Sequence, residues 1–137
     1  MSEKAAAEEG GPERILPQAD FPIEELSVVL LFEGPARAGM ERDAVQRLAN
    51  DHLRYTIGLV EGGRLVHAGA IVDSGGDPPV TGLGFSRLPP DEVARFEAED
   101  PAVKAGLEQF RVVAYRFPRG GLVFAPERPK KVFAGSA

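Results

Sequence analysis

The sequence predicts an α+β domain with the element order β-α-β-β-α-β. Three observations support this prediction. Four short runs rich in apolar and β-branched residues are typical of strands, and two longer segments have the spacing of amphipathic helices. Clusters of glycine, proline and aspartate separate these segments. The length of 137 residues, with 43% hydrophobic and 27% charged side chains, suits one folded domain.

The first two predicted elements are a strand and a long helix. The run from Leu26 to Phe32 (LSVVLLF) is short and apolar, and Gly34-Pro35 ends it. A helix is predicted from Glu41 to about Glu61, because acidic residues stand near its start and Gly62-Gly63 supplies a stop signal. These two segments form the first β-α pair.

Two strands joined by a turn follow the helix. The second strand is predicted from Arg64 to Val72 and the third from Val80 to Arg87. Between them, residues 73–79 (DSGGDPP) combine aspartate, glycine and proline, which are the residues of tight turns.

The last predicted elements are a second helix, a short helical turn and the fourth strand. Pro89-Pro90 opens the helix, which continues to about Glu99. Asp100-Pro101 begins a further helical turn that ends near Gly106, and residues 109–117 form the strand. This order is the ferredoxin-like arrangement, in which both helices lie on one face of an antiparallel sheet.

The first and last strands are apolar on both faces, which predicts a homodimer. A sheet with one solvated face alternates apolar and polar residues, and these two strands do not. Two helices cover only one face, so a second copy packed against the other face through its own sheet is the expected cover. In the first strand, Val28, Leu30 and Phe32 lie on one face and Val29 and Leu31 on the other. In the last strand, one face has Phe110, Val112 and Ala114, and the other has Val113, Tyr115 and Phe117.

The two ends of the chain differ from its middle in composition. Residues 1–22 carry five acids and two bases and are predicted to be a disordered acidic leader. Residues 23–117 form the predicted domain, and residues 118–137 a basic, irregular tail whose Arg128-Pro-Lys-Lys cluster is predicted to be solvated. Within this tail, Leu122, Val123 and Phe124 are apolar enough to pack on the domain or on a neighbouring subunit.

Composition also limits the partners that we expect. The net charge of −5 argues against nucleic acid, and no apolar run approaches the ~18 residues of a membrane span. The absence of cysteine excludes disulfide scaffolds, thiolate metal sites and cysteine nucleophiles. A cytoplasmic protein with a small-molecule ligand is therefore the expectation.

The first predicted helix carries the most informative residue, His52. Helical spacing places His52 within an apolar stripe that includes Tyr55 and Leu59, facing the sheet. An imidazole in that position needs partners for its nitrogens, so it is either a satisfied core histidine or a general acid/base. Tyr55 has the same two interpretations, as a core residue or as a polar group of a pocket.

A catalytic imidazole usually has an orienting carboxylate, and two aspartates are candidates. Asp100 and Asp73 also have structural interpretations, as a helix N-cap and as a turn residue. His67 would lie near His52 if Leu65, His67, Gly69 and Ile71 faced the helices. No short ligand spacing indicates a metal site, and neither a metal nor a cofactor is expected.

An ordered set of short motifs resembles the YCII-related (YciI-like) family over roughly residues 26–117. The set comprises His52-Leu-Arg-Tyr55, Gly63-Arg-Leu-Val-His-Ala-Gly69, Asp73, Gly82, and Glu99-Asp100-Pro101-Ala-Val-Lys-Ala-Gly106. The resemblance implies a ferredoxin-like domain that dimerises into an α/β barrel, with a pocket centred on a histidine and an aspartate. By position these are His52 and Asp100, and Tyr55, Gly69 and Asp73 line the same pocket.

The chain departs from the family pattern at two positions. Ala70 stands where the family usually has proline, and His67 occupies a position that is usually apolar. His67 would therefore make the pocket more polar and is taken as a candidate substrate-binding residue.

These observations lead to two classes of function. The first is a cofactor-free enzyme that transfers a proton on a small metabolite, cyclic and aromatic compounds included, by lyase, isomerase or dehalogenase-type chemistry. His52 would move the proton, Asp100 would hold its tautomer, and Tyr55 would position the substrate. The alternatives are a non-catalytic ligand-binding or accessory module and a related dimeric α/β-barrel monooxygenase.

Overall fold

The computed structural model describes residues 20–125. Most of the predicted leader and the basic cluster from Arg128 to Lys131 lie outside the described residues. The predictions of a disordered leader and of a solvated basic cluster therefore stay predictions.

The described residues form four strands, three α-helices and one short 3₁₀ turn. The predicted order β-α-β-β-α-β is confirmed, and the short helical turn predicted after Asp100 is present as a separate helix. In chain order the elements are β1 (Ile23–Glu33), the 3₁₀ turn (Arg37–Gly39), α1 (Arg42–Glu61), β2 (His67–Ala70), β3 (Val80–Ser86), α2 (Pro90–Glu97), α3 (Pro101–Lys104) and β4 (Glu108–Pro118).

The four strands form one antiparallel sheet with the order β2-β3-β1-β4. In the centre of the sheet, Val29 of β1 lies opposite Gly84 of β3 and Val112 of β4. This strand order, together with the element order, is consistent with the predicted ferredoxin-like fold.

Glycines with positive φ angles end two of the helices. Gly63 follows α1 with a φ of 80°, and Gly106 follows α3 with a φ of 82°. A side chain with a Cβ is strained in this region, which explains why glycine is the stop residue at both points.

The main core lies between the helices and one face of the sheet. Val29 and Leu31 of β1 pack there against Leu59, Val93 and Phe96 from the helices, with Leu65 from the loop before β2. Leu59 is the one fully buried residue of α1, so this helix contacts the core mainly through its C-terminal part. The middle of α1 is consequently less tightly packed on the sheet.

The opposite face of the sheet, called the free face below, is partly covered by the chain's own C-terminal segment. Leu26 and Val28 on this face are only 3% and 7% exposed. The Phe124 ring lies 5.7 Å from the Phe85 ring and 6.2 Å from the His67 ring. Because Pro118 ends β4 and β1 separates β4 from β3, residues 119–124 cross the free face. The chain therefore covers part of this face itself.

No helix between residues 20 and 125 is long and apolar enough to cross a membrane.

Candidate active site

His52 and Asp100 are in direct contact. The Nδ1 atom of His52 in α1 lies 2.6 Å from Oδ2 of Asp100, which precedes α3. This distance corresponds to a short, charge-assisted hydrogen bond. The two residues are 48 positions apart in the sequence, so only the packing of α1 against α3 brings them together.

Asp100 is also the N-cap of α3. Its Oδ1 atom accepts a hydrogen bond from the backbone N–H of Ala102 at 2.8 Å, and its side chain is 1% exposed. The two oxygens thus have different partners, and the N-cap interpretation holds alongside the contact with His52. Because Pro101 occupies the first helical position, the backbone conformation of the cap is favoured by the sequence itself.

The surroundings of His52 favour its protonated form. Burial lowers the pKa of His52, but the hydrogen bond to Asp100 and the charges of Glu108, Asp100 and Glu97 raise it more, so that the pKa lies above its ordinary value of 6.5. Nε2 has no hydrogen-bond partner among residues 20–125 and remains available to a ligand.

His52 lines a cavity of about 200 Å³ between α1 and the sheet. Glycines of β3 provide space on the helix side, because Gly82 and Gly84 lie opposite Leu31 and Val29 and carry no side chain. An apolar cavity of ~150 Å³ is large enough to bind benzene. The lining residues are Val29, Leu31, His52, Leu53, Thr56, Leu65, Ala68, Gly69, Ala70, Thr81, Gly82, Leu83, Gly84, Glu97 and Glu108.

Two glutamates complete the polar part of the cavity, and the sequence analysis did not identify either of them. Glu97, at the end of α2, is 4% exposed. Glu108, at the start of β4, places Oε1 3.6 Å from His52 Nδ1. Periodicity could have found both: Glu97 lies four residues after Val93 on the buried face of α2, and Glu108 alternates with Phe110 toward the helices.

Burial changes the acidity of both glutamates. Burial and the charges of Asp100 and Glu108, partly offset by His52, raise the pKa of Glu97 to about 7. Burial also raises the pKa of Glu108, as does the charge of Asp100, while His52 and Thr81 oppose the change. The Oε1 atom of Glu108 and the Oγ1 atom of Thr81 are buried without a hydrogen-bond partner within the described part of the chain.

The other predicted site residues differ in their positions. Gly69 contributes to the cavity wall. Tyr55 instead donates its hydroxyl hydrogen to the backbone oxygen of Phe96 at 2.6 Å, which joins α1 to α2, and it is not among the lining residues. Asp73 is exposed in the loop between β2 and β3 and does not line the cavity.

His67 lies on the free face of the sheet, away from His52. It pairs with Phe85, and its ring stacks on the Phe85 and Phe124 rings at centroid distances of 6.3 and 6.2 Å. The condition under which His67 would lie near His52, that Leu65 and His67 both face the helices, is not met. Strand β2 begins only at His67, so strand alternation does not extend back to Leu65, which enters the helix-side core from the preceding loop.

No group of three or more histidine, aspartate or glutamate side chains in residues 20–125 has an arrangement suited to a metal ion.

Comparison with known proteins gives a distant structural likeness. No family model and no curated protein matches the chain. The chain is similar to the solved structure of 5-chloro-2-hydroxyhydroquinone dehydrochlorinase (TftG) from Burkholderia phenoliruptrix AC1100 in complex with 2,5-dihydroxybenzoquinone. The two sequences are 20% identical, the match covers 68% of this chain and 95% of that chain, and the TM-score is 0.40. A likeness at this level supports no conclusion about substrate or reaction.

Proposed function

We propose that this protein is a small-molecule enzyme that transfers a proton with the His52–Asp100 pair and needs no cofactor for that step. One observation carries the proposal: His52 binds the buried Asp100 carboxylate through Nδ1 at 2.6 Å and also lines a cavity. A histidine whose only role is to fill a core would not require an open cavity beside it.

The two residues have different roles in this proposal. Asp100 accepts the Nδ1 hydrogen, which fixes the neutral tautomer in which Nε2 carries the lone pair. Nε2 then accepts a proton from the ligand, and the Asp100 carboxylate stabilises the imidazolium that forms. His52 afterwards returns the proton to the product.

The cavity indicates the size of the ligand. A volume of about 200 Å³ accommodates a six-membered ring with small substituents. Apolar side chains such as Val29, Leu31 and Leu65 would contact the ring, while His52 and the glutamates would contact its polar groups. Lyase, isomerase or dehalogenase-type reactions suit this arrangement, because each of them moves a proton on a small molecule. The resemblance of the sequence to the YCII-related family agrees with a pocket at His52 and Asp100.

A two-step experiment tests the proposed function. A library of small ring compounds is first screened for compounds that raise the melting temperature of the full chain, since binding to the folded state must stabilise it. Each stabilising compound is then incubated with the protein in D₂O and followed by NMR. We expect deuterium incorporation or conversion in the wild-type protein. In His52→Gln the rate of this exchange or conversion should fall by about 100-fold or more.

The same experiment separates an enzyme from a binding module. Compounds that bind without exchange or conversion in the wild-type protein would indicate the non-catalytic alternative. Equal rates in the wild-type protein and in His52→Gln would contradict the role of the histidine.

We also infer that the protein forms a homodimer through the free face of the sheet. Leu30, Phe32, Leu83 and Val113 are only half-buried on this face, and Tyr115 is 47% exposed. The C-terminal segment covers only part of the face on its way to Phe124, and these half-buried residues remain for a second copy to cover.

A further inference from the structure

We propose that Glu97 is a second proton-transferring residue of the cavity, and that the ligand is an uncharged ring compound with an oxygen that accepts a hydrogen bond from the Glu97 carboxyl. This inference rests on the proposed function, in which His52 is the general base, and adds Glu97 as the general acid.

The first argument is the position of the Glu97 carboxyl. The residue is 4% exposed, lines the same cavity as His52, and has no hydrogen-bond partner among the described residues. The Glu97 oxygens are therefore not held by this part of the protein, and a carboxyl group in a largely buried position favours its protonated form. Its neighbour Asp100 differs, because both of its oxygens accept hydrogen bonds within the protein.

The second argument is the balance of charge. Three carboxyl groups, those of Glu97, Asp100 and Glu108, interact with a single imidazole, that of His52. No lysine or arginine of the described chain lines the cavity. An imidazolium at His52 would neutralise only one carboxylate, and the neutral His52 that acts as the base neutralises none, so the other acids favour protonation. Burial raises the pKa of Glu97 to about 7, which agrees with a proton on this carboxyl near neutral pH.

The charge balance also limits the ligand. An anionic ligand would lie beside Glu97 and Glu108, and no lysine or arginine of the described residues lines the cavity to compensate its charge. An uncharged ligand carries no such repulsion, and a carbonyl or similar oxygen would accept the Glu97 hydrogen. The electrostatics of the cavity therefore select against carboxylates and phosphates.

Together the two residues would catalyse the enolisation of a cyclic ketone. Nε2 of His52 takes a proton from the carbon next to the carbonyl, and the C–H electron pair becomes the carbon–carbon double bond of the enol. The carbonyl π electrons move to oxygen, which takes the proton of Glu97. In the reverse direction in D₂O, the carbon receives deuterium, so the step is visible as isotope exchange without net reaction.

The first test measures the proton on Glu97 directly. In ¹³C NMR of the full chain, assigned with Glu97→Gln, the Glu97 carboxyl should titrate near pH 7, well above exposed glutamates. The groups that face it are His52 and Tyr55 from α1, Asp100 before α3 and Glu108 from β4. Titration of Glu97 together with the exposed glutamates would overturn the proposal.

The second test compares two probes of equal ring size, cyclohexanone and the anion cyclohexanecarboxylate. Binding is followed through the amide resonances of Gly82 and Gly84 in the cavity wall. We expect cyclohexanone to bind at least tenfold more tightly. Binding of neither probe at millimolar concentration, or a preference for the anion, would overturn the ligand class.

The third test separates this inference from the proposed function. Glutamine keeps a hydrogen-bond donor but has no acidic proton, so Glu97→Gln should retain cyclohexanone binding and lose isotope exchange about 100-fold. The matched control Glu99→Gln changes an exposed acid two residues away and should leave exchange unchanged. Exchange that persists in Glu97→Gln and disappears in His52→Gln would overturn the role of Glu97 alone. No exchange in the wild-type protein with cyclohexanone bound would overturn the enolisation proposed here, whereas the proposed function is contradicted only if no stabilising compound of the library shows exchange or conversion.

Discussion

The carboxylate of Asp100 has two partners, one for each oxygen. One oxygen caps α3 at Ala102, and the other accepts the hydrogen of His52 Nδ1. The cap fixes the carboxylate before any ligand arrives, so the orientation of the imidazole needs no further rearrangement. A local folding signal and a long-range contact therefore depend on the same side chain.

The substitution Asp100→Asn should lower the pKa of His52. Asparagine is as good an N-cap as aspartate, so α3 should remain, but the charge that stabilises the imidazolium is lost while the burial that opposes it stays. The measurement is an NMR titration of the His52 ring. Asp51→Asn is the matched control, because Asp51 pairs with Arg54 rather than with His52. An unchanged His52 titration in Asp100→Asn would contradict the ion pair.

Glu97 should make the protein less stable as the pH rises. The folded state binds the Glu97 proton more tightly than the unfolded chain, because the pKa is about 7 in the folded state and ordinarily 4.5. The loss of folding stability that Glu97 causes is absent below pH 4.5 and grows between pH 4.5 and about 7. Above about 7 it is complete and amounts to about 3 kcal/mol. The raised pKa of His52 acts in the same direction, since its contribution is lost as the pH rises through it.

Urea unfolding at pH 5 and pH 8 measures this effect. Glu97→Gln should be close to the wild-type protein at pH 5 and more stable at pH 8, by up to about 3 kcal/mol. Glu99→Gln, at an exposed position, should keep the wild-type pH dependence. A wild-type advantage over Glu97→Gln at pH 8 would show that the carboxylate is satisfied in the folded state.

At the scale of elements, strand β3 makes room for the cavity because two of its residues on the helix side are glycines without side chains. Gly82 and Gly84 are the residues of this strand opposite the core residues Leu31 and Val29. A Cβ at Gly82 would lie 2.9 Å from Leu31 Cδ1, whereas a Cβ at Gly84 would have its nearest neighbours at 3.7 and 3.8 Å. A methyl group therefore fits at Gly84 without displacing the strand.

The substitution Gly84→Ala should preserve the fold and weaken binding. We expect the ring compounds that stabilise the wild-type protein to bind about tenfold less tightly, because added volume in a filled cavity costs about 1–3 kcal/mol. The Tm shift that each compound produces is the measurement. Gly58→Ala is the control: this exposed helical position has open space around it, and alanine should stabilise it by about 0.5–1 kcal/mol without changing binding. Undiminished binding by Gly84→Ala would place the ligand elsewhere.

At the scale of the whole molecule, the free face of the sheet is where we propose that a second copy binds. Tyr115 lies opposite Leu26 on this face and is 47% exposed, so a charge there should oppose the packing of a second copy without disturbing the core. We expect the full-length protein to sediment as a dimer at micromolar concentration and Tyr115→Glu to shift it toward the monomer.

The control for association is Val72→Glu. Val72 is 93% exposed in the loop between β2 and β3, and its substitution should leave the sedimentation coefficient unchanged. A wild-type protein that sediments as a monomer at this concentration would contradict the homodimer.

The sequence by itself determined the order of the elements and most of their boundaries. Local signals were sufficient for this, because turns such as residues 73–79, the Asp100-Pro101 helix start and the glycine at position 63 act on their own neighbours. The sequence also identified His52 and Asp100 as a candidate pair, through helical spacing and through the resemblance to a known family.

Only the tertiary structure decided which polar groups share a cavity. The bend before β2 places His67 on the free face, where it stacks on Phe85. The hydroxyl of Tyr55 donates a hydrogen bond to the backbone oxygen of Phe96 and does not reach the cavity. Glu97 and Glu108 joined His52 from two other elements. These outcomes depend on register and on the packing of helices against the sheet, where a shift of one residue reverses the face of every side chain in a strand.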